Sequence, residues 1–299
     1  MKKNITIEKY LVDRKKIIET NLEKYLKCSD ADIKIIFDSM GYSVLAGGKR
    51  LRPLLVLLTA ETFGGNSGLK KAVPAACAIE MIHTYSLIHD DLPCMDNDDF
   101  RRGKLTNHKK FGENIAVLAG DGLLTYAFYV VSKFSCVSIC GELIKLLSFN
   151  SGVDGMLGGQ TLDVILENKK IRDITVIDKI HLKKTAALIK CSILIGAVCG
   201  GVSDKIIMNS LEKAGNNLGL AFQIIDDILD LTATTEELGK PSKSDLKKNK
   251  STYPSILGIK KSEKIALQLL ENTVKLLKKL PIDSGLLIDL AKMLVLRKK

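Results

Sequence analysis

The chain has 299 residues, 46% of them hydrophobic, and carries 45 Lys and Arg against 34 Asp and Glu, a net charge of +11. That is ample for a large core, while 5% aromatics with no Trp leaves little for base stacking, so the positive charge is read as suiting a small anionic ligand rather than a nucleic acid. The seven Cys, at 28, 77, 94, 136, 140, 191 and 199, form no CxxC pair, and several lie in apolar runs; they read as small buried hydrophobes of a reducing, cytoplasmic protein. The start MKKNITIEKYLVDRKK has no apolar core of a signal peptide, and no run of about 18 uncharged apolar residues suggests a membrane span.

Apolar residues recur at helical spacing, and strand-like alternation is scarce, so the chain reads as all-α and as one domain, 1–299. Helices are expected over about Ile5–Lys27, Ala31–Leu45, Arg52–Phe63, Lys70–His89, Asn114–Lys133, Glu142–Asn150, Val153–Leu166, Ile174–Cys199, Asp204–Leu231, Ser262–Leu280 and Ser284–Leu296. Gly64-Gly65-Asn66-Ser67-Gly68 reads as a loop that stops one helix before the next. Ahead of the third helix, Gly47-Gly48-Lys49-Arg50-Leu51-Arg52-Pro53 places cations where a helix start ordinarily prefers acids, which makes sense if a phosphate sits among them.

The fourth helix ends in Ser86-Leu-Ile-His-Asp-Asp-Leu-Pro-Cys-Met-Asp96, where Pro93 halts it. Asp90 and Asp91 repel each other at a helix end whose dipole disfavours negative charge, so they require nearby cations. Arg101 and Arg102 follow and can grip phosphate by paired hydrogen bonds. His83 lies two turns before Asp91 on the same face, and Glu80 with His83 forms an ExxH. Further on, Gln160 and Asp163 interrupt an apolar helix and read as supports for the site, while Lys184 and Thr185 precede a strongly apolar run. Phe222-Gln-Ile-Ile-Asp-Asp-Ile-Leu-Asp230 repeats the acid pattern, with Asp226, Asp227 and Asp230 converging on one helix face and Gln223 one turn before them. Two acid clusters on apolar helices, without Cys or His ligands, suit Mg2+ completed by phosphate oxygens. The lysine-dense stretch 240–250 then reads as a lid that meets phosphate.

Taken together, GGKRLRP, IEMIHTYSLIHDDLPCMDNDDFRRG, KFGENIAVLAGD, GGQTLDV, HLKKTAALI, GLAFQIIDDILD and GKPSKSD…KSTYP resemble the trans-isoprenyl diphosphate synthases, in order and over nearly the whole chain, closest to bacterial farnesyl diphosphate synthases. The resemblance implies an all-helical bundle around a central cavity, a homodimer and three Mg2+ ions per site. It implies that Asp90, Asp91 and Asp96 hold Mg2+ from one wall and Asp226, Asp227 and Asp230 from the other. Arg101, Lys184 and Lys240 would contact the allylic diphosphate, and Lys49, Arg52, His83 and Arg102 the isopentenyl diphosphate. Thr185 and Gln223 would lie beside the allylic carbons. Three positions depart from the usual pattern: Lys243 where Gly is common, Leu105 in place of Pro, and Ala186 in place of Gly.

The expected chemistry is ionisation of an allylic diphosphate, attack by the isopentenyl double bond, and proton loss to the departing diphosphate. The family pattern makes Tyr85, five residues before Asp90, the floor of the tail shaft, with Ser86 one turn below Asp90. A fifteen-carbon product, farnesyl diphosphate, is therefore expected, with geranylgeranyl diphosphate synthase as the alternative. Two readings from other classes stand beside these: a di-metal carboxylate bundle built on the ExxH, and a non-catalytic basic scaffold for acidic partners.

Overall fold

The computed structural model describes residues 6–134, 136–232 and 250–297. Its helices are α1 (Ile7–Tyr25), α2 (Lys34–Val44), α3 (Leu51–Asp90), α4 (Asn107–Phe111), α5 (Glu113–Ser132), α6 (Val137–Ser151), α7 (Met156–Leu166), α8 (Ile174–His181), α9 (Ala187–Cys199), α10 (Lys205–Thr232), α11 (Tyr253–Leu257), α12 (Ile259–Lys278) and α13 (Gly285–Val295). A short antiparallel pair, β1 (Phe100–Arg101) and β2 (Lys104–Leu105), is the only sheet among the described residues.

Helix α3 is the axis of the bundle, because its residues are apolar nearly all round and it packs against both α5 and α9. The buried side chains fall into two clusters: Val56, Leu57 and Ile79 centre one, while Leu55 and Leu58 on the neighbouring stripe of α3 join the other, with Leu218 and Leu270. Truncating such a residue to Ala costs roughly 2–5 kcal/mol. Helix α10 buries Leu211, Ala214, Leu218, Ala221 and Ile225 at helical spacing against α9 and α12, and its acids continue the same face at its C-terminal end.

Two expectations about helix boundaries are corrected. The loop expected over 64–68 shrinks to a kink in α3 at Gly65 (φ 56°, ψ −148°), which only Gly adopts without strain. Gly64 and Gly68 serve packing instead, since a Cβ on either would strike backbone atoms of Gly200 or Ala60. The helix expected over Ile174–Cys199 divides into α8 and α9 around a π turn, Leu182–Ala186. Isolated π turns of this kind often mark functional sites.

Among the described residues one helix, α5, is long and apolar enough by length and composition to cross a membrane. It carries Asp121 and packs against α2, α3, α4 and α6, the behaviour of a helix within the bundle. The Cys expectation is met only in part: Cys77, Cys191 and Cys199 are buried, while Cys94 and Cys136 are exposed.

Candidate active site

The first acid wall is the C-terminal end of α3. The Leu92-Pro93 turn folds the chain back so that Asp96 N–H donates to the Asp90 carbonyl at 2.8 Å, which returns Asp96 towards Asp90. Asp91 is buried and receives Arg101 Nε at 2.8 and 2.9 Å on its two oxygens. Asp90 accepts Gln160 Nε2 at 2.8 Å. Burial, with Asp96 and Asp91 nearby, pushes its carboxyl up to about 6 despite Lys184 and Arg101. It is a carboxylate short of positive charge.

The second wall is the end of α10. Asp227 is buried, accepting Gln223 Nε2 at 3.0 Å and the Tyr253 N–H at 3.3 Å, with His181 Nε2 at 3.6 Å. Burial, reinforced by Asp226 and Asp230, pushes it up to about 7 against those donors. The Tyr253 ring stacks on His181 at 5.7 Å, and its hydroxyl bonds Asp178, so the segment after residue 250 is tied to this wall. Asp230 is also buried, whereas Asp226 is partly exposed and paired with Arg297, whose guanidinium lies 4.1 Å over the Phe222 ring.

Between the walls runs the π turn. It places Lys184 and Thr185 on the border of two hollows at once. One, of about 460 Å³, reaches from Asp90, Arg52 and His83 down an apolar shaft lined by Tyr85, Leu92, Met95, Val117, Met156 and Leu157; the other, of about 100 Å³, holds Gln223, Asp227, Asp163 and Lys250. Thr185 Oγ donates to Gln223 Oε1 at 2.8 Å. The backbone approach needs small residues on both sides: a Cβ at Gly159 would lie 2.1 Å from Lys184 N, and one at Gly219 would lie 2.4 Å from Ala186 Cα. Here Gly219 supplies the room beside Ala186.

Asp163 accepts Lys184 Nζ at 2.6 Å and Lys250 Nζ at 2.9 Å. Burial alone would raise this carboxyl, but the two ammonium groups hold it down at about 2. Asp163 thus holds two cations, of which Lys184 also acts on Asp90, when no anion is bound. The roles of Lys250 and Arg297 were missed in the sequence. Lys250 sits in a lysine run whose members look alike, and Arg297 lies 71 positions from its partner. Lys240 and Lys243, with most of the expected lid, lie outside the described residues.

A second group of cations gathers at the start of α3. Arg52 and His83 line the large hollow. Arg52 is desolvated, and its Nε has no hydrogen-bond partner. Arg102 donates to the Gly47 carbonyl and packs on Gly48. Lys49 is exposed; desolvation and nearby Arg297 lower its pKa. Burial, with Arg52 and Arg102 alongside, drives His83 well below its ordinary range, so its imidazole is neutral at pH 7. Ser86 Oγ donates to the His83 carbonyl at 2.9 Å and borders the shaft with Tyr85.

The di-metal reading fails here. Glu80 is buried against Arg50, 2.8 Å away, and cations surround His83, so the ExxH pair is not available to an ion.

Mg2+ fits the acid walls. The donors are oxygens, and burial with neighbouring acids raises Asp90 and Asp227, a strain that a divalent cation would relieve. Among the described residues no three acidic, His or Cys side chains converge into a finished cage; Mg2+ ordinarily takes part of its shell from water and phosphate.

Comparison with known proteins decides the family. The polyprenyl synthetase model matches residues 33–280. The chain belongs to that family. This polyprenyl synthetase is 42% identical over 298 residues to the farnesyl diphosphate synthase of Geobacillus stearothermophilus, covering 98% of each chain. It is 44% identical over 271 residues to the geranylgeranyl diphosphate synthase of Cyanophora paradoxa, covering 90% of this chain and 89% of the relative. Among solved structures it superimposes, with a TM-score of 0.86 and 34% identity, on a geranyltransferase from Helicobacter pylori complexed with magnesium and isoprenyl diphosphate, covering 99% of this chain and 98% of that one. The fold is therefore the all-α isoprenoid-synthase bundle and the enzyme a prenyltransferase. That removes the scaffold reading.

Proposed function

We propose that the enzyme condenses isopentenyl diphosphate with dimethylallyl or geranyl diphosphate to give farnesyl diphosphate. The observation that carries this is the pair of hollows that share Lys184 and Thr185: each meets an acid wall, and one continues into an apolar shaft lined in part by Tyr85.

Arg101, Lys184 and Lys250, with Lys240, receive the allylic diphosphate, and Arg52, Lys49 and Arg102 receive isopentenyl diphosphate beside neutral His83. Magnesium, held by Asp90, Asp91 and Asp96 on one side and Asp226, Asp227 and Asp230 on the other, supplies charge neutralisation for the leaving diphosphate. The family resemblance puts the complement at three ions. The allylic C–O bond breaks, and its electron pair leaves with the diphosphate. The isopentenyl double bond forms the new C–C bond, and the resulting cation loses a proton to the diphosphate. Thr185 and Gln223, locked together, present their oxygens to the allylic cation. The juxtaposed sites supply the proximity that such a step requires.

We further place the enzyme in the cytoplasm as a homodimer acting through one domain, 1–299. The thiols are free. Exposed apolar residues on the adjacent helices α5 and α6, Leu118, Tyr129, Val137 and Phe149, suit burial against a second copy. Light scattering on the purified protein tests the dimer. For the reaction, the protein is incubated with isopentenyl diphosphate, each allylic primer and Mg2+, and the products are sized. A fifteen-carbon product supports the proposal. A dominant twenty-carbon product would select the geranylgeranyl alternative, and no condensation would overturn the prenyltransferase assignment.

A further inference from the structure

Tyr85, read as the shaft floor, has a neighbour that braces it. One turn along α3, His89 also lines the cavity, and its ring meets the Tyr85 ring edge-on with centroids 5.8 Å apart. Tyr85 is buried, and the His89 side chain beside it is 29% exposed. His89 is itself anchored to a different helix. Its Nε2 lies 3.1 Å from the Val117 carbonyl of α5. A carbonyl only accepts, so Nε2 carries the proton and donates. Asp121, 3.9 Å from the same nitrogen, favours that arrangement.

The anchor depends on a notch. A Cβ at Gly120 would lie 2.0 Å from His89 Nε2, so no other residue there leaves the imidazole in place. Gly120 opens the surface of α5, His89 enters and bonds the helix backbone, and the side of the imidazole facing along α3 limits the swing of Tyr85. These are i, i+4 neighbours on one helix, the spacing at which aromatic side chains meet.

From this geometry we propose that His89 is a specificity-determining positioning residue: bracketed to α5 through the Gly120 notch, it holds Tyr85 across the shaft and so sets product length. The inference rests on the reading of Tyr85 as the floor. It assigns His89 no part in ionisation. Removing the bracket frees the Tyr85 side chain to rotate aside and admits a further isoprene unit.

The test compares product lengths in the full-length wild-type enzyme, His89→Ala, His89→Gln, Tyr85→Ala and the Tyr85→Ala/His89→Ala double variant, with isopentenyl diphosphate, geranyl diphosphate and Mg2+. Product ratio is the readout, because it does not move with a general loss of rate. His89→Ala should shift the main product by five carbons. His89→Gln, whose amide nitrogen reaches the same place to donate to Val117, should retain the wild-type length; this rescue separates bracketing from bulk. The double variant should match Tyr85→Ala, since His89 acts only through Tyr85. A wild-type spectrum from His89→Ala, or a double variant that makes longer chains than Tyr85→Ala, would overturn the proposal while leaving the floor intact. An unchanged spectrum from Tyr85→Ala would remove both. Absence of product from the wild-type enzyme would instead count against the prenyltransferase assignment.

Discussion

Asp163 offers a quantitative test of how the site stores its cations. It is 18% exposed and bonded to both Lys184 and Lys250. Its carboxyl lies at about 2 in the folded protein against 3.8 for an unperturbed Asp, which corresponds to about 2 kcal/mol of stability. Because the folded value is depressed, that stability is present in full above pH 3.8 and is lost as the pH falls through 2. Asp163→Asn should therefore lower the stability of the ligand-free enzyme by about 2 kcal/mol at pH 7, with the difference shrinking below about pH 4. The substitution leaves two ammonium groups facing each other, and a diphosphate would relieve their repulsion. Inorganic pyrophosphate with Mg2+ should accordingly stabilise the variant more than the wild type. Urea unfolding with and without pyrophosphate measures both effects. Equal stability of the two ligand-free proteins at pH 7, together with equal gains from pyrophosphate, would refute the argument that Asp163 stands in for the substrate anion.

Tyr85→Ala opens the shaft; five further buried carbons at about 0.8 kcal/mol each favour the longer chain by about 4 kcal/mol. Chromatography of the dephosphorylated products should show a longer main species, and an unchanged length would refute the floor. Protons compete with divalent ions for Asp90, at about 6, and Asp227, at about 7, so Mn2+ affinity followed by electron paramagnetic resonance should weaken as the pH falls through 7 to 6. The sign for stability is opposite: these raised carboxyls favour the ligand-free fold in full below pH 3.8, and their contribution is lost as the pH rises from there through about 6 and 7, which urea unfolding across that range should register. Arg297→Ala frees Asp226 of its guanidinium partner and should tighten Mn2+ binding severalfold in the same resonance titration; equal affinity would show that the contact does not compete with the ion.

Much of the site was legible because its chemistry is written in local contrast. Asp90, Asp91, Asp226 and Asp227 stand at the ends of apolar helices, where acids have no structural reason to be. Gln223 in an apolar setting signalled a partner, and Thr185 and Asp227 are that partner. Contacts that depend on chain folding left no such mark. The bond between Arg297 and Asp226 joins distant segments, and Tyr253 reaches Asp227 through its backbone, which any residue type could supply. Helix breaks misled in both directions. The glycines at 64, 65 and 68 suggested a loop, but Gly65 alone departs from helical geometry while its neighbours admit other backbones. The π turn was invisible because its residues, Leu182 to Ala186, lack any breaker and sit between two stretches that both look helical.

That turn has an evolutionary consequence. A regular α-helix rotates about 100° per residue, so one residue removed between Leu182 and Ala186 would heal the local geometry while swinging everything upstream around the axis. The repaired helix would hold better backbone hydrogen bonds, yet Lys184 and Thr185 could no longer face the same hollows as Asp90 and Gln223. Deletions here should thus yield a sturdier but inert protein.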